Sequence, residues 1–312
     1  MIFSGIRNSL LGVVALARPG LLPAQTPTPA TSAAPVDSPP PPGITVLHDV
    51  VIGKGGDRDL HAEIACPQNV TGLLPAVIYI HGGGWSGGSF TPSPILSLAK
   101  AGYFAASIEY RLSGVAKWPA QIQDCKLGVR WLRANAAQYH VDPNRIGAWG
   151  ASAGGHLVAC LGTMADVKDY EGNGGYPGVS SAVQVVVDFF GPTDLTNHTP
   201  DTPLAIHLTE ILFGVPYDQN PQLWRRGSPL FYVKAGDPPM LIVHGDSDQM
   251  VPLAQSTVFD AALSHAGVPH QFLIVKNANH GFWPLPGKTI NPSNAGIDQT
   301  VYAFLDKSLK GP

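Results

Sequence analysis

The chain has 312 residues, a formal net charge of −3, and only 13% charged residues against roughly 25% in an ordinary domain; glycine (35) and proline (30) are plentiful. Such a chain is long enough to bury a sizeable core and too apolar to be disordered. It carries no basic stripe for nucleic acid or anionic lipid, so small neutral partners are expected.

Taken in chain order, residues 1–25 place Arg7 before an apolar stretch, Leu10 to Ala17, and small residues near Ala24, as a secretory signal peptide does. The stretch falls short of the ~20 residues of a membrane span, so no stable anchor is expected and the protein is read as secreted or periplasmic. Residues 26–43 are rich in Pro, Thr and Ser and read as an extended linker. The folded domain is expected over 44–312.

"HDVVIGKGGDRDLHAEIACP" reads as an antiparallel hairpin around a Gly-Gly-Asp turn. The continuous apolar runs "PAVIYIHG", "YFAASIEYR", "RIGAWG", "AVQVVVDFFG", "PMLIVHG" and "HQFLIVK" follow. Runs without alternation predict strands buried on both faces, hence a parallel sheet. Helical spacing lies between them, in "PAQIQDCKLGVRWLRANAAQYH", "ASAGGHLVACLGTMA", "LAQSTVFDAALSHAG" and "AGIDQTVYAFLDKSLK". The fold class is therefore α/β, a mostly parallel doubly wound sheet with an antiparallel N-terminal edge. Residues 195–237 form an insertion of the kind that carries a short cap. Cys66, Cys125 and Cys160 lack metal-like spacing and read as small buried hydrophobes, with one disulfide open if the protein is exported.

Ligands of such sheets bind beyond the carboxyl ends of the strands. There the sequence places His81-Gly-Gly-Gly, Gly150-Ala-Ser152-Ala-Gly154, Gly191-Pro-Thr-Asp194, Asp246-Ser-Asp248 and Asn277-Ala-Asn-His280. "GASAGG" matches G-x-S-x-G between a strand and a helical pattern, which makes Ser152 the candidate nucleophile; the bland alternative is an N-cap serine followed by packing glycines. A serine hydroxyl needs a base. His280, in the loop after the last strand, completes the order Ser…Asp…His, whereas His81, His156 and His244 sit at a turn, in a helix and in a strand. Asp248 is favoured as the acid that orients it, Asp246 as a turn residue, and Asp194 stays open as a variant.

Gly82, Gly84 and Gly87 also spell G-x-G-x-x-G, the dinucleotide fingerprint, with Glu109 near the place of a ribose-binding acid. Trp85 interrupts that motif and Pro92 and Pro94 delay the next helix, so the pyrophosphate would meet no helix N-terminus. An oxyanion hole fits better, built from N–H groups of Gly83, Gly84 and Ala153.

"HGGGW", "WPAQIQDCKLGVRWLRANAAQYHVDPNRIGAWGASAGGHL", "PPMLIVHGDSDQMVP" and "NANHGF" resemble the bifunctional acetyl/feruloyl esterase group of α/β-hydrolases, close to the hormone-sensitive-lipase-like esterases. The resemblance runs from about residue 45 to the end. It implies a carboxylic-ester hydrolase with Ser152 as nucleophile, His280 as base, Asp248 as its orienter, the same three oxyanion residues, and no metal or organic cofactor. Trp85, Phe282 and Trp283 neighbour these motifs and are expected at the substrate. With no long N-terminal cap expected, the cleft is read as open, which suits short-chain, acetyl or feruloyl-type esters, small or polymer-borne. A polyester hydrolase, a serine peptidase or amidase on the same fold, and a non-catalytic binding protein are the competing readings.

Overall fold

Apolar runs with no polar alternation have two faces to cover, and the sheet built from them is covered on both. The computed structural model describes residues 40–91, 93–197 and 202–311. The expected leader and most of the expected linker lie outside the described residues. Strands β1 (Ile44–Gly55) and β2 (Arg58–Pro67) form the hairpin at the sheet edge. They are followed by β3 (Leu74–Ile80), β4 (Phe104–Ile108), β5 (Val141–Ala151), β6 (Val185–Phe189), β7 (Met240–Gly245) and β8 (His270–Val275).

These strands make an eight-stranded sheet in the order β1-β2-β4-β3-β5-β6-β7-β8. β2 runs antiparallel to β1 and β4, and every later pairing is parallel. This is the α/β-hydrolase arrangement expected from the sequence.

Side-chain alternation sorts the core into two layers. Ile78 and Ile80 of β3, Phe104 and Ala106 of β4, and Met240 and Ile242 of β7 face one layer, which includes helices α2 (Ala120–Ala134), α3 (Ala153–Thr163) and α6 (Ala254–Ala266). Val77, Ala105, Leu241 and Val243 face the other, with α1 (Ile95–Lys100) and α7 (Asn294–Leu309). Cys125 and Cys160 are fully buried free thiols in the first layer, and burial pushes both well up from the ordinary thiol range.

The segment between β6 and β7 folds as α4 (Pro203–Phe213), α5 (Pro221–Arg226) and short 3-10 turns. Thr202 caps α4 by accepting the Ala205 N–H at 3.1 Å, Pro203 opens it, and Gly214 closes it in the left-handed region at φ 76°. The segment is tied to the loop after β4 by the Lys117 Nζ bond to the Ile211 carbonyl and by Trp118 N–H to Leu212 O, both 2.9 Å. No helix among the described residues is long and apolar enough to cross a membrane.

Candidate active site

Ser152 sits where β5 must turn sharply into α3. Its φ is 56°, a backbone conformation that costs a non-glycine residue on the order of 1–3 kcal/mol and persists only where its surroundings impose it. Those surroundings are explicit. The Ser152 N–H is held by the Phe189 carbonyl at 2.8 Å, and its own carbonyl accepts the His156 N–H at 2.9 Å. A Cβ on Gly154 would run into the Ile80 and His81 carbonyls, so only a bare backbone lets the turn press against β3.

The loops after β7 and β8 bring the other two groups. His280 opens a short 3-10 turn (His280–Phe282) whose backbone N–H is fixed by Asn279 Oδ1 at 2.8 Å. Its Nε2 lies 3.1 Å from Ser152 Oγ and its Nδ1 2.7 Å from Asp248 Oδ2. With Nδ1–H donating to the carboxylate, Nε2 is left free to accept from the serine hydroxyl.

Asp248 is held from every side. Its Oδ1 accepts the Met250 and Val251 N–H groups at 2.8 and 2.9 Å, and its Oδ2 also lies 3.4 Å from His244 Nε2. Burial alone would raise its pKa. Hydrogen bonds from His244 and His280, the His280 charge and the Val251 N–H outweigh that effect and hold the carboxyl well below the usual carboxylate range. It is therefore an anion throughout the range in which a histidine titrates.

The other aspartates take other work. Asp246 accepts the Asn277 N–H at 2.8 Å and shapes the loop, while Asp194 turns its carboxylate to Thr196. Glu109 pairs with Arg58 on the hairpin instead of waiting for a ribose. His81 rests its ring on Tyr110, centroids 4.3 Å apart, and its Nδ1 lies 2.7 Å from the Gly82 carbonyl oxygen; burial pulls its pKa down. It is part of the turn's scaffold.

The turn itself closes when the Ser86 and Gly87 N–H groups bond to the Gly83 carbonyl, at 3.2 and 3.0 Å. Gly83 (φ 113°) and Gly84 (φ 58°) border the same cavity as Ser152 and Ala153, the first residue of α3, whose N–H belongs to the unpaired first turn of that helix. The cavity holds about 340 Å³. Apart from these backbone groups and His280, it is walled chiefly by apolar side chains: Leu195, Ala205 and Leu208 of the β6–β7 segment and Met250, Val251 and Pro252 after β7.

Two of the three expected aromatic contacts need correction. Trp85 borders the cavity, though only 4% of it is exposed. Phe282 does not reach it. Its ring packs on Phe189 and Phe190, 5.1 and 4.9 Å away, in the layer beneath the sheet, where it supports the loop that carries His280. Trp283 is 73% exposed on the surface and outside the cavity; its carbonyl accepts the Asn279 N–H at 2.8 Å and closes the loop. Sequence adjacency to His280 suggested both, but a tight turn sends consecutive side chains in different directions.

Leu208 and Thr209, from the expected cap-like insertion, border the cavity, as do Met250 and Gln255, which the sequence did not single out.

The BD-FAE family model matches residues 62–263 of this chain. The chain belongs to the BD-FAE family. Among relatives of this BD-FAE chain, Esterase LipQ of Mycobacterium tuberculosis (strain ATCC 25618 / H37Rv) is 35% identical over 243 residues, 75% of this chain and 56% of LipQ. The BD-FAE chain thus spans little more than half the length of that relative. A truncated carbohydrate esterase from gut microbiota superposes with a TM-score of 0.73 at 31% identity, covering 85% of this chain and 96% of that one. Thermogutta terrifontis esterase 2 phosphorylated by paraoxon gives 0.68 at 28%, covering 85% and 94%.

Proposed function

We propose that this BD-FAE chain hydrolyses carboxylic esters through an acyl-serine intermediate. The observation that carries the reading is the 3.1 Å and 2.7 Å relay from Ser152 through His280 to Asp248, opening into an apolar cavity bordered by Gly83 and Gly84. Ser152 Oγ attacks the ester carbonyl while its proton passes to His280 Nε2, and the C=O π pair moves onto oxygen. The N–H groups of Gly83, Gly84 and Ala153 receive that oxyanion. The intermediate collapses, the C–O bond to the alcohol breaks, and His280 returns the proton to the leaving oxygen. Water then repeats the sequence on the acyl-serine, with His280 as base, and releases the carboxylic acid.

The cavity's volume and apolar walls favour short acyl groups, acetyl foremost, with the alcohol side left outside. The likeness to a gut carbohydrate esterase supports an ester borne on carbohydrate as the substrate, and the resemblance of the sequence to acetyl/feruloyl esterases points to the acyl groups to try first. Export, as read from residues 1–25, would put the enzyme where such polymers are.

Initial rates on p-nitrophenyl acetate through dodecanoate, methyl ferulate and acetylated xylan, with Ser152→Ala alongside, test the reading. Wild-type turnover of short or cell-wall esters, reduced by about three orders of magnitude or more in Ser152→Ala, is expected. A variant that matches wild type would end the nucleophile assignment.

A further inference from the structure

Four residues beyond Ser152, at the first full turn of α3, lies a histidine that the relay does not use. His156 is completely buried, and burial pulls its pKa down to about 4 against a small opposing effect from its bond to the Gly227 carbonyl. Both ring nitrogens are engaged. The Trp85 indole N–H donates to Nδ1 at 3.1 Å, and Nε2 lies 2.8 Å from the Gly227 carbonyl oxygen. An indole N–H can only donate and a carbonyl can only accept, so the ring is the neutral Nε2–H tautomer.

Those two partners belong to separate parts of the site. Trp85 follows Gly83 and Gly84 in the turn, at φ 55°, so whatever fixes its side chain fixes the orientation of the peptide units before it. Gly227 follows α5 in the same segment that contributes Leu208 to the cavity wall. The Trp118 ring, centroid 5.5 Å away, packs on the imidazole, leaving it no room to swing.

We propose that His156 is a positioning residue for ester hydrolysis: one neutral imidazole clasps the glycine turn and the β6–β7 segment to the helix that bears Ser152. It acts through Trp85 and touches no reacting atom. The proposal rests on the esterase reading, in which the turn's N–H groups must already face the place where the oxyanion forms.

The variants that test it are His156→Leu, His156→Gln and Trp85→Phe, with the His156→Leu/Trp85→Phe pair. Glutamine can accept from the indole and donate to the carbonyl; leucine fills similar space and does neither. His156→Leu and Trp85→Phe should each lower kcat on p-nitrophenyl acetate by roughly tenfold to a hundredfold, as small misplacements of catalytic groups do. KM should move by less than about threefold, since ground-state binding is not what is lost. The double variant should be no slower than the slower single one, because both remove one interaction. His156→Gln should regain most of the rate. Fully additive losses, an effect on KM alone, or a glutamine variant no faster than leucine would overturn the proposal.

Exchange protection of the Trp85 indole N–H, assigned by its disappearance in Trp85→Phe, supplies a readout that needs no substrate. Protection in wild type and its loss in His156→Leu support the clasp, and unchanged protection overturns it. Should wild type cleave no ester at all, the esterase reading falls and this measurement still decides whether the clasp exists. If His156→Leu does not fold, Trp85→Phe carries the kinetic arm, and His156→Ala, which leaves the indole N–H without its acceptor, takes the place of leucine in the exchange arm.

Discussion

Leu208 on α4 lies so close over Gly84 that a methyl group added to that glycine would stand 2.6 Å from its Cδ1. A side chain of the β6–β7 segment thus covers the backbone expected to receive the oxyanion, and it also narrows the cavity. Leu208→Ala should widen the acyl range. The octanoate-to-acetate ratio of kcat/KM should rise at least about tenfold, since single methylenes in such pockets are worth factors of that order. A p-nitrophenyl ester series measures it, and an unchanged ratio would remove Leu208 from the specificity wall.

Asp248→Asn should lower kcat by about four orders of magnitude without unfolding the protein. The Met250 and Val251 N–H groups demand an acceptor at Oδ1, which fixes the amide oxygen there and turns the NH2 group toward His280 Nδ1. That nitrogen must then give up its proton, and Nε2 carries one where it should accept from Ser152. Nitrogen-15 shifts of the His280 ring should report the exchanged tautomer beside the kinetic loss.

Gly154→Ala tests the turn under Ser152. Its Cβ would collide with the Ile80 and His81 backbone, which cannot move without moving the strand end itself. The expected destabilisation is about 3 kcal/mol or more, at the upper end of overpacking effects, read from the urea midpoint. A variant as stable as wild type would show that β3 and α3 are not pressed together there.

Two buried groups give stability opposite dependences on pH. His156 titrates near 4 when folded and near 6.5 when unfolded, so between those values the unfolded chain binds the extra proton and stability rises with pH, by about 3 kcal/mol over the window. Asp188 is pushed up to about 6 by burial, with its Oδ2 unpartnered among the described residues, so between about 4 and 6 the folded chain holds the extra proton and stability falls as pH rises. Relative to wild type, His156→Gln should show a lower slope of unfolding free energy from pH 4 to 6.5, and Asp188→Asn a higher one from pH 4 to 6. Urea titrations at several pH values decide both, and slopes equal to wild type would refute the assignments.

The sheet was legible because each central strand is buried on both faces and therefore spells an unbroken apolar run. The positions of Ser152, Asp248 and His280 were legible for a related reason: each follows such a run, and parallel strands end at one edge. The particular apolar residues that wall the cavity were not, beyond the expectation of a cap-like insertion. Leu208 and Thr209 come from a helix more than fifty residues past the serine, and Met250 and Gln255 from beyond a different strand. No local pattern marks residues that meet only after folding. Phe282 and Trp283 neighbour His280 along the chain, but the turn at Gly281 (φ 72°) sends one ring into the core and leaves the other on the surface, away from the cavity. His156 left a fainter trace, a lone imidazole among Ala, Gly, Leu and Val, where a buried ring must find partners for both nitrogens.

The segment 203–232 walls the cavity, yet it is spliced between two strands whose pairing it does not share. A gene copy could accumulate changes along α4 and acquire a taste for another acyl group while the strand ends beneath stayed as they were. Such a layout lets the wall vary while its foundation stays fixed, and α4 is the place to look for divergence among BD-FAE chains.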